Sequence, residues 1–430
     1  MNYNEALEFI NKTNMLGSVL GLKSIEKLLS LLDNPQNKLR YIHIGGTNGK
    51  GSTSNYLFNI LKAVGYKVGV FTSPYLNRIN ESITVDGIEI PDEDFARILG
   101  IIREKIYTMV EEGFNHPTTF EILTAMGFIY FCEQKVDFVV LEVGLGGKKD
   151  ATNIIPYSIA SVFTAIDYDH MDILGDTLEK IASEKAGIIK NNSIVVSYPQ
   201  EEAVLGVLKK AAEEKNSRFY LCPVENISIK EMNSYGSIFD FSYNGLSIED
   251  IRISMLGKHQ IYNACLAITT VLVLREKGLI QVTNDEIKEG LSKAKWPCRL
   301  EVLRRNPIVL LDGAHNLQGI RQLRKSLDLF DYERLILCIG ILKDKDYVHI
   351  AEAISPIADE ILITEVKSPR KLDAEILKKE MDKYNENVYI EKDINKLIKK
   401  SLELSTGKDL ILFCGSLYLV GRIKRVFEKQ

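Results

Sequence analysis

Cysteine is sparse in this sequence and never paired: Cys132, Cys222, Cys265, Cys298, Cys338 and Cys414 stand far apart, with no CxxC among them. That spacing excludes a zinc ribbon or a disulfide framework and predicts reduced thiols, as in a cytoplasmic protein. An excess of either charge is missing too, since 54 lysines and arginines face 58 aspartates and glutamates for a net charge of -4. Such a balance lacks the basic footprint of a nucleic-acid binder. No apolar run approaches the ~18 residues of a membrane span, and the opening MNYNEALEFINKTN has no basic stretch leading into an apolar one. The expectation is a soluble, unprocessed, cytoplasmic chain with neither nucleic acid nor membrane as partner. Repeats and low-complexity tracts are absent as well, and at ~150 residues per domain the length suits two or three ordinary domains.

What is present is a rhythm. YIHIGG, VGVFTS, FVVLEVG, IASVFTAID and SIVVSYP are short, nearly continuous apolar runs, the pattern of strands buried on both faces. Between them, STSNYLFNILKAVG and TTFEILTAMGFIYFCEQ repeat their apolar positions every three or four residues, as helices do. Strand and helix in alternation predict βαβ crossovers and a mainly parallel sheet. From FYLCPVEN to DIRISML the pattern changes to polar–apolar alternation, which predicts a small antiparallel addition. A long helix in QIYNACLAITTVLVLREKG and the segment LSKAKWPCRLEVL lead to a second alternating series: PIVLLDGAHN, LILCIGIL, EILITEV, NVYIEKD and LILFCGS. The fold class is therefore α/β, with a larger domain over residues 1–297 and a smaller Rossmann-like one over 298–430.

Ligands of open parallel sheets bind beyond the carboxyl ends of the strands, and five polar clusters stand at such ends. GGTNGKGS follows the first strand; Ser73 and Pro74 follow VGVFT; Glu142 closes FVVLE; Asp169 and His170 follow IASVFTAI; DGAHN follows PIVLL. The first of these departs from a Walker loop, GxxxxGK[ST], because Ile44 takes the place of the first glycine and Gly51 separates Lys50 from Ser52. Its physics still suits phosphate: glycines let successive amides converge, the following helix presents the positive end of its dipole, and Lys50 adds a full charge. A carboxylate at the end of a strand as apolar as FVVLE needs a cation, either a metal or a lysine such as Lys148 or Lys149. His170 reads either as a turn residue or as a ligand. Glu184 and Lys185 follow on a helix that should return toward the same sheet. Spacing alone does not single out Ser73.

The ordered set GTNGKGSTS, TSPYLNRINESITVDG, TTFEILTAMGFIYF, LEVGLGGKKDATN, DHMDILGDTLEKIASEKAGIIK, GKHQIYNA and DGAHN resembles the folylpolyglutamate synthase and dihydrofolate synthase family of the Mur ligase superfamily. The resemblance runs from about Tyr41 to Asn316, and more diffusely to the end of the chain. It implies an ATP-dependent ligase that adds L-glutamate to folate or dihydropteroate through an acyl phosphate, with ATP and magnesium as cofactors and a monomeric state. It also implies roles for particular residues. Gly49, Lys50, Gly51 and Ser52 would hold ATP phosphates, with Asn263, Arg299 and Asp312 as further ATP contacts. Ser73, Glu142 and His170 would hold magnesium, joined by Lys185 as a carbamate, and Lys50, Lys185 and His170 would form the catalytic group. Thr118, Thr119, Phe120, Glu121, Asp150 and Ala151 match the region that holds the pterin-bearing substrate.

The sequence departs from the family pattern at Tyr75, where histidine is frequent, at Lys148 and Lys149, where arginine and leucine are, and at Cys298, where glycine is. Lysine cannot make the bidentate fork of arginine, so the substrate contact near Asp150 is where the departure bears most. His315 is expected either to touch nucleotide or to cap the next helix, and His43, on a strand, to be a core residue. Two other classes stay open from sequence: a Mur-type amino-acid ligase, against which the phosphate loop stands early in the chain, and a phosphate-loop ATPase that drives a switch without synthesis.

Overall fold

A computed structural model describes residues 1–14 and 21–429. The chain forms two compact units, one from Met1–Asn226, Ser242–Ile248 and Tyr262–Lys293, the other from Ile227–Phe241, Glu249–Ile261 and Ala294–Gln430.

In the first unit the strands are β1 (Tyr41–Gly45), β2 (Val68–Phe71), β3 (Ile83–Val85), β4 (Ile88–Glu89), β5 (Phe138–Glu142), β6 (Ala160–Phe163), β7 (Ile194–Ser197) and β8 (Arg218–Leu221). They form one sheet in the order β4-β3-β2-β5-β1-β6-β7-β8. From β2 to β8 every pair is parallel, and β3 and β4 add an antiparallel hairpin at one edge. All residues of β1 and β5 are buried, which accounts for their unbroken apolar sequence. The chain leaves β1 toward β2 on one side and later returns past β1 to fill β6, β7 and β8 on the other. The carboxyl end of β1 is thus a topological switch point, the place where doubly wound sheets open a ligand crevice.

Two elements differ from the sequence reading. Phe219–Leu221, assigned above to the antiparallel addition, belongs to β8 and pairs parallel with β7, with Val195 opposite Phe219. As an outer strand it is only partly buried, so the continuous apolar signal of its neighbours is missing. The hairpin of β3 and β4 turns through Asp86 and Gly87, both at positive φ, the requirement of a two-residue turn of the type favoured in hairpins.

The antiparallel addition consists of β9 (Ile227–Asn233), β10 (Gly236–Tyr243) and β11 (Leu246–Ile253), ordered β11-β10-β9. Alternate residues of β10 are buried, as the alternation in its sequence predicts. The second unit carries β12 (Glu301–Arg305), β13 (Ile308–Leu311), β14 (Leu335–Ile339), β15 (Glu360–Ile363), β16 (Val388–Ile390) and β17 (Leu410–Cys414), ordered β12-β13-β17-β14-β15-β16. All its pairs are parallel except β12 with β13. Leu310, Leu337, Ile361 and Leu412 of this sheet lie in one buried cluster. Among the described residues no helix is long and apolar enough to cross a membrane.

Candidate active site

The loop after β1 is held from several sides. Thr47 donates its amide to the Ala165 carbonyl (2.8 Å), and its hydroxyl donates to the Asp167 carbonyl (3.0 Å) while accepting the Asp167 amide (3.1 Å). Gly46, at φ +145°, passes so close to the strand beside it that a Cβ there would lie 1.9 Å from Thr164 Oγ1. Gly49, at φ +93°, is packed against Asn263, whose Oδ1 would be 2.6 Å from an added Cβ. Side chains are excluded at both positions, so the loop exposes backbone where a phosphate needs donors. The helix Lys50–Val64 starts at once, and its first-turn amides have no carbonyl of their own turn to bond.

Two lysines converge on this loop. Lys50 Nζ donates to the carbonyls of Gly46 (3.1 Å) and Thr47 (3.2 Å), and Lys185 Nζ donates to the same Gly46 carbonyl at 2.8 Å. Lys185 arrives on the helix Leu178–Ala186 and is only 4% exposed. Burial first, and then the charge of Lys50, lower its pKa to about 7, against the opposing pull of Asp169 and Asp150.

The other expected ligands stand at the ends of neighbouring strands. Glu142, 4% exposed, closes β5 in register with Ile44 of β1. Ser73 follows β2, the strand on the far side of β5, where Phe71 pairs with Leu141. His170 follows β6 at φ +50°, with Nε2 3.9 Å from Asp169 Oδ1 and its side chain 30% exposed. Four adjacent strands, β2-β5-β1-β6, therefore contribute Ser73, Glu142, the glycine loop and His170 in turn. Among the described residues no three His, Cys, Asp or Glu side chains converge as a metal site; the expected set has only two of those types. Glu142 and Ser73 offer the oxygen donors that magnesium prefers, whereas Lys185 as an amine does not fit its shell.

The region expected to hold a pterin is built on a helix start and a turn. Thr118 caps the helix Thr119–Glu133: its hydroxyl accepts the Glu121 amide (3.2 Å), and Glu121 Oε2 accepts the Thr118 amide (2.7 Å). Glu121 Oε1 accepts the amide of Ile25 (3.2 Å), so both oxygens of this buried carboxylate hold backbone. Thr119 keeps a buried hydroxyl that meets no protein partner, and the Phe120 ring sits edge-on to Phe71 at 5.8 Å. Asp150 is buried and accepts from the amides of Leu145 (2.8 Å) and Thr152 (3.0 Å) and from the Thr152 hydroxyl. It folds the segment after Glu142 back on itself, and Ala151 packs into the core beside it.

One part of this arrangement has no sequence signal. His43 Nε2 lies 2.9 Å from Thr152 Oγ1. Because Thr152 gives its only proton to Asp150, Nε2 must be the donor, and Nδ1 is buried and without a partner. Burial, with a smaller contribution from Lys190, lowers the His43 pKa to about 3. The strand histidine read as core is buried, and it also braces Asp150 through Thr152.

In the second unit Arg299 and Asp312 are neighbours. Cys298 and Leu300 on either side of Arg299 have φ of +57° and +46°, conformations that disfavour side chains. Asp312 Oδ2 accepts the Leu300 amide (2.9 Å) and Oδ1 the Ala314 amide (2.7 Å), so this carboxylate braces the turn that presents Arg299. Burial raises the Asp312 pKa, and the Arg299 charge opposes it. His315 Nδ1 donates to the Gly313 carbonyl (2.8 Å), and the cap of the helix Leu317–Ser326 is Asn316, not His315.

Comparison with known proteins identifies the family. Residues 44–271 match the family described as Mur ligase middle domain, and 298–417 that described as Mur ligase, glutamate ligase domain. The chain is 35% identical over 429 residues to the dihydrofolate synthase/folylpolyglutamate synthase of Bacillus subtilis, covering 98% of each chain. Among solved structures it is similar to folylpolyglutamate synthase from Thermotoga maritima, with a TM-score of 0.85, 35% identity, and coverage of 99% of this chain and 96% of that one. It is also similar to Mycobacterium tuberculosis folylpolyglutamate synthase complexed with ADP, with a TM-score of 0.92, 29% identity and full coverage of both. The chain belongs to the folylpolyglutamate synthase and dihydrofolate synthase family of Mur-type ligases.

Proposed function

We propose that this protein is an ATP-dependent ligase that joins the amino group of L-glutamate to a carboxylate of a pteroyl substrate, either dihydropteroate or a reduced folate. The observation that carries this reading is the convergence of Lys50 and Lys185 on one carbonyl of a glycine loop, at the start of a helix and at the switch point of the sheet.

A carboxylate does not react with an amine at neutral pH, so it must first be activated, here by transfer of the ATP γ-phosphoryl group to give an acyl phosphate. The glutamate amine then attacks the acyl carbon, phosphate leaves, and the amide forms. The loop Gly49–Ser52 and Lys50 would neutralise the transferring group, and such positioning and electrostatics supply most of the catalysis of phosphoryl transfer. Ser73, Glu142 and His170 would hold magnesium, with Lys185 joining them as a carbamate; the ion supplies further neutralisation of phosphate charge. Asn263 would contact ATP beside Gly49, and Arg299 would do so from a turn braced by Asp312. Thr118, Thr119 and Phe120 would face the pterin, with the Thr119 hydroxyl as a donor in need of a partner. Glu121, Asp150 and Ala151 would shape that pocket by holding backbone.

Residues 1–297 would thus serve as the ATP-binding domain and 298–430 as the glutamate-ligase domain of a monomeric, cytoplasmic enzyme. The test is ADP release with dihydropteroate and with tetrahydrofolate as separate substrates, each with L-glutamate, for the wild type and Lys50→Ala. Release that needs both co-substrates and vanishes in the variant supports the reading. Near-normal ligation by Lys50→Ala, or hydrolysis indifferent to both co-substrates, refutes it.

A further inference from the structure

His43 stands in the middle of β1, fully buried, in register with Leu141 of β5 and Ser161 of β6. For packing alone it is a poor choice, because Nδ1 meets no partner and a leucine there leaves no polar atom dry. What it does make is the bond from Nε2 to Thr152 Oγ1 (2.9 Å), the first link in a path of polar contacts. Thr152 donates onward to Asp150 through its hydroxyl and, at 3.0 Å, its amide, and Asp150 in turn holds the Leu145 amide (2.8 Å). The segment folded in this way, 145–153, lies directly on the end of the helix that carries Lys185. The Lys148 amide donates to the Glu184 carbonyl (2.7 Å), and Asn153 Nδ2 donates to the carbonyls of Lys148 (3.2 Å) and Gly187 (3.0 Å). No side chain fits between the two backbones. A Cβ added at Gly147 would lie 2.6 Å from the Glu184 carbonyl oxygen and 2.8 Å from that of Lys185, and one added at Gly187 would lie 2.5 Å from Lys148 Cα. All of these residues belong to the first unit.

We propose that His43 is a positioning residue for Lys185: through Thr152 and Asp150 it fixes the segment 145–153 against the backbone of residues 184–187, and so the point from which Lys185 reaches the Gly46 carbonyl. Its effect on rate rests on the ligase reading above. The path closes on itself. It leaves β1 at His43, passes Thr152, Asp150, Lys148 and Glu184 to Lys185, and returns through the bond from Lys185 Nζ (2.8 Å) to Gly46, just past the end of β1. Lysine is long and has many rotamers, so its amine is placed only as well as its backbone and its acceptor are. Here the same strand anchors both, the acceptor directly and the backbone by way of His43. Opening the ring at His43 or Thr152 removes no contact of Lys185 itself, and loosens only the backbone that aims it.

The experiment uses the full chain in two pairs of variants. His43→Leu removes the donor and His43→Gln keeps one; Thr152→Val removes the hydroxyl and Thr152→Ser keeps it, and this second pair carries the test if His43→Leu does not fold. The kcat for glutamate addition, per ADP-binding site counted by calorimetry, should fall about tenfold to a hundredfold in His43→Leu and Thr152→Val, as for a misplacement on the order of 1 Å. The KM values for ATP and the pteroyl substrate should stay within about threefold of wild type, and His43→Gln and Thr152→Ser should recover most of the loss. A second readout needs no turnover: acetic anhydride labelling of the folded protein, mapped by peptide mass, should modify Lys185 about fivefold faster in His43→Leu and Thr152→Val than in wild type, through local opening. Gly65→Ala, strained away from this path, should label Lys185 at the wild-type rate. Wild-type kcat and labelling in both loss variants, a rise in the pteroyl KM with Lys185 labelling unchanged, or equal behaviour of the two members of each pair overturns the proposal. Absence of ligation by the wild type with every pteroyl substrate counts against the ligase reading instead, and the labelling still decides the role of His43.

Discussion

Replacing Gly46 with alanine puts the largest calculable strain on the proposed phosphate loop. The new Cβ would meet Thr164 Oγ1 at 1.9 Å and the Thr164 carbonyl carbon at 3.2 Å. Thr164 is fully buried and donates to the Gly45 carbonyl at 3.3 Å, so it cannot swing away without losing that bond. Relief of the contact costs about 1–3 kcal/mol by analogy with overpacked cores. Holding a non-glycine residue at φ +145° adds about 1–3 kcal/mol more. The sum is about 2–6 kcal/mol, taken up by unfolding or by displacement of the Gly46 carbonyl. Since that carbonyl accepts from both Lys50 and Lys185, displacement moves both amines and should weaken nucleotide binding. Gly65→Ala is the control: φ is +98° there, but no atom lies within 4 Å of the new Cβ, so only backbone strain of about 1 kcal/mol applies and nucleotide affinity should not change. Urea denaturation and ADP titration of both variants provide the comparison. Gly46→Ala should lose clearly more stability and affinity than Gly65→Ala, and Gly46→Ala/Thr164→Ala should regain part of the loss. Equal behaviour of Gly46→Ala and Gly65→Ala would refute the described path of the loop.

Other predictions follow from single residues. His43 stays neutral in the folded chain, with a pKa lowered to about 3 against about 6.5 when unfolded. Its contribution is complete above pH 6.5 and declines by about 1.4 kcal/mol per pH unit as pH falls toward 3, because only the unfolded state takes up the proton. The stability of His43→Gln should accordingly fall less steeply between pH 6.5 and 5, by about 2 kcal/mol over that range; parallel curves would contradict the assignment. Burial, with Glu301 nearby, pushes the Cys298 thiol up to about 12. Iodoacetamide at neutral pH should leave Cys298 unmodified until the protein is denatured, as peptide mass mapping would show. Thr118→Ala removes a helix cap and should cost about 1 kcal/mol, with a larger rise in KM for the pteroyl substrate than for ATP.

Much of the frame was legible because its strands are buried on both faces. β1, β2, β5, β6 and β7, and later β13 to β17, announce themselves as apolar runs, and their carboxyl ends carry the polar clusters. β8 was misplaced because an outer strand loses that signal, and β3 and β4 went unread because Ile83–Val85 and Ile88–Glu89 are too short to show a period. In the site, sequence supplied which residues to compare but not what their side chains hold. Glu121 and Asp312 look like ligand contacts in a motif, yet in both cases the two carboxylate oxygens accept backbone amides. The chain from His43 through Thr152 to Asp150 joins residues 109 positions apart, and no local pattern encodes such a contact. The positive φ at Cys298 and Leu300 was equally hidden, since neither residue is of the type that favours it.

The central claim is that ATP cleavage is tied to amide synthesis at the loop after β1. Its most direct measurement follows ADP and the pteroyl product together, by coupled assay and mass spectrometry, with each co-substrate omitted in turn. The account predicts one ADP per glutamyl residue added, and neither product when the pteroyl acid or L-glutamate is left out. ADP formed at the same rate without them, and no gain of a glutamyl residue on the pteroyl substrate, would contradict it.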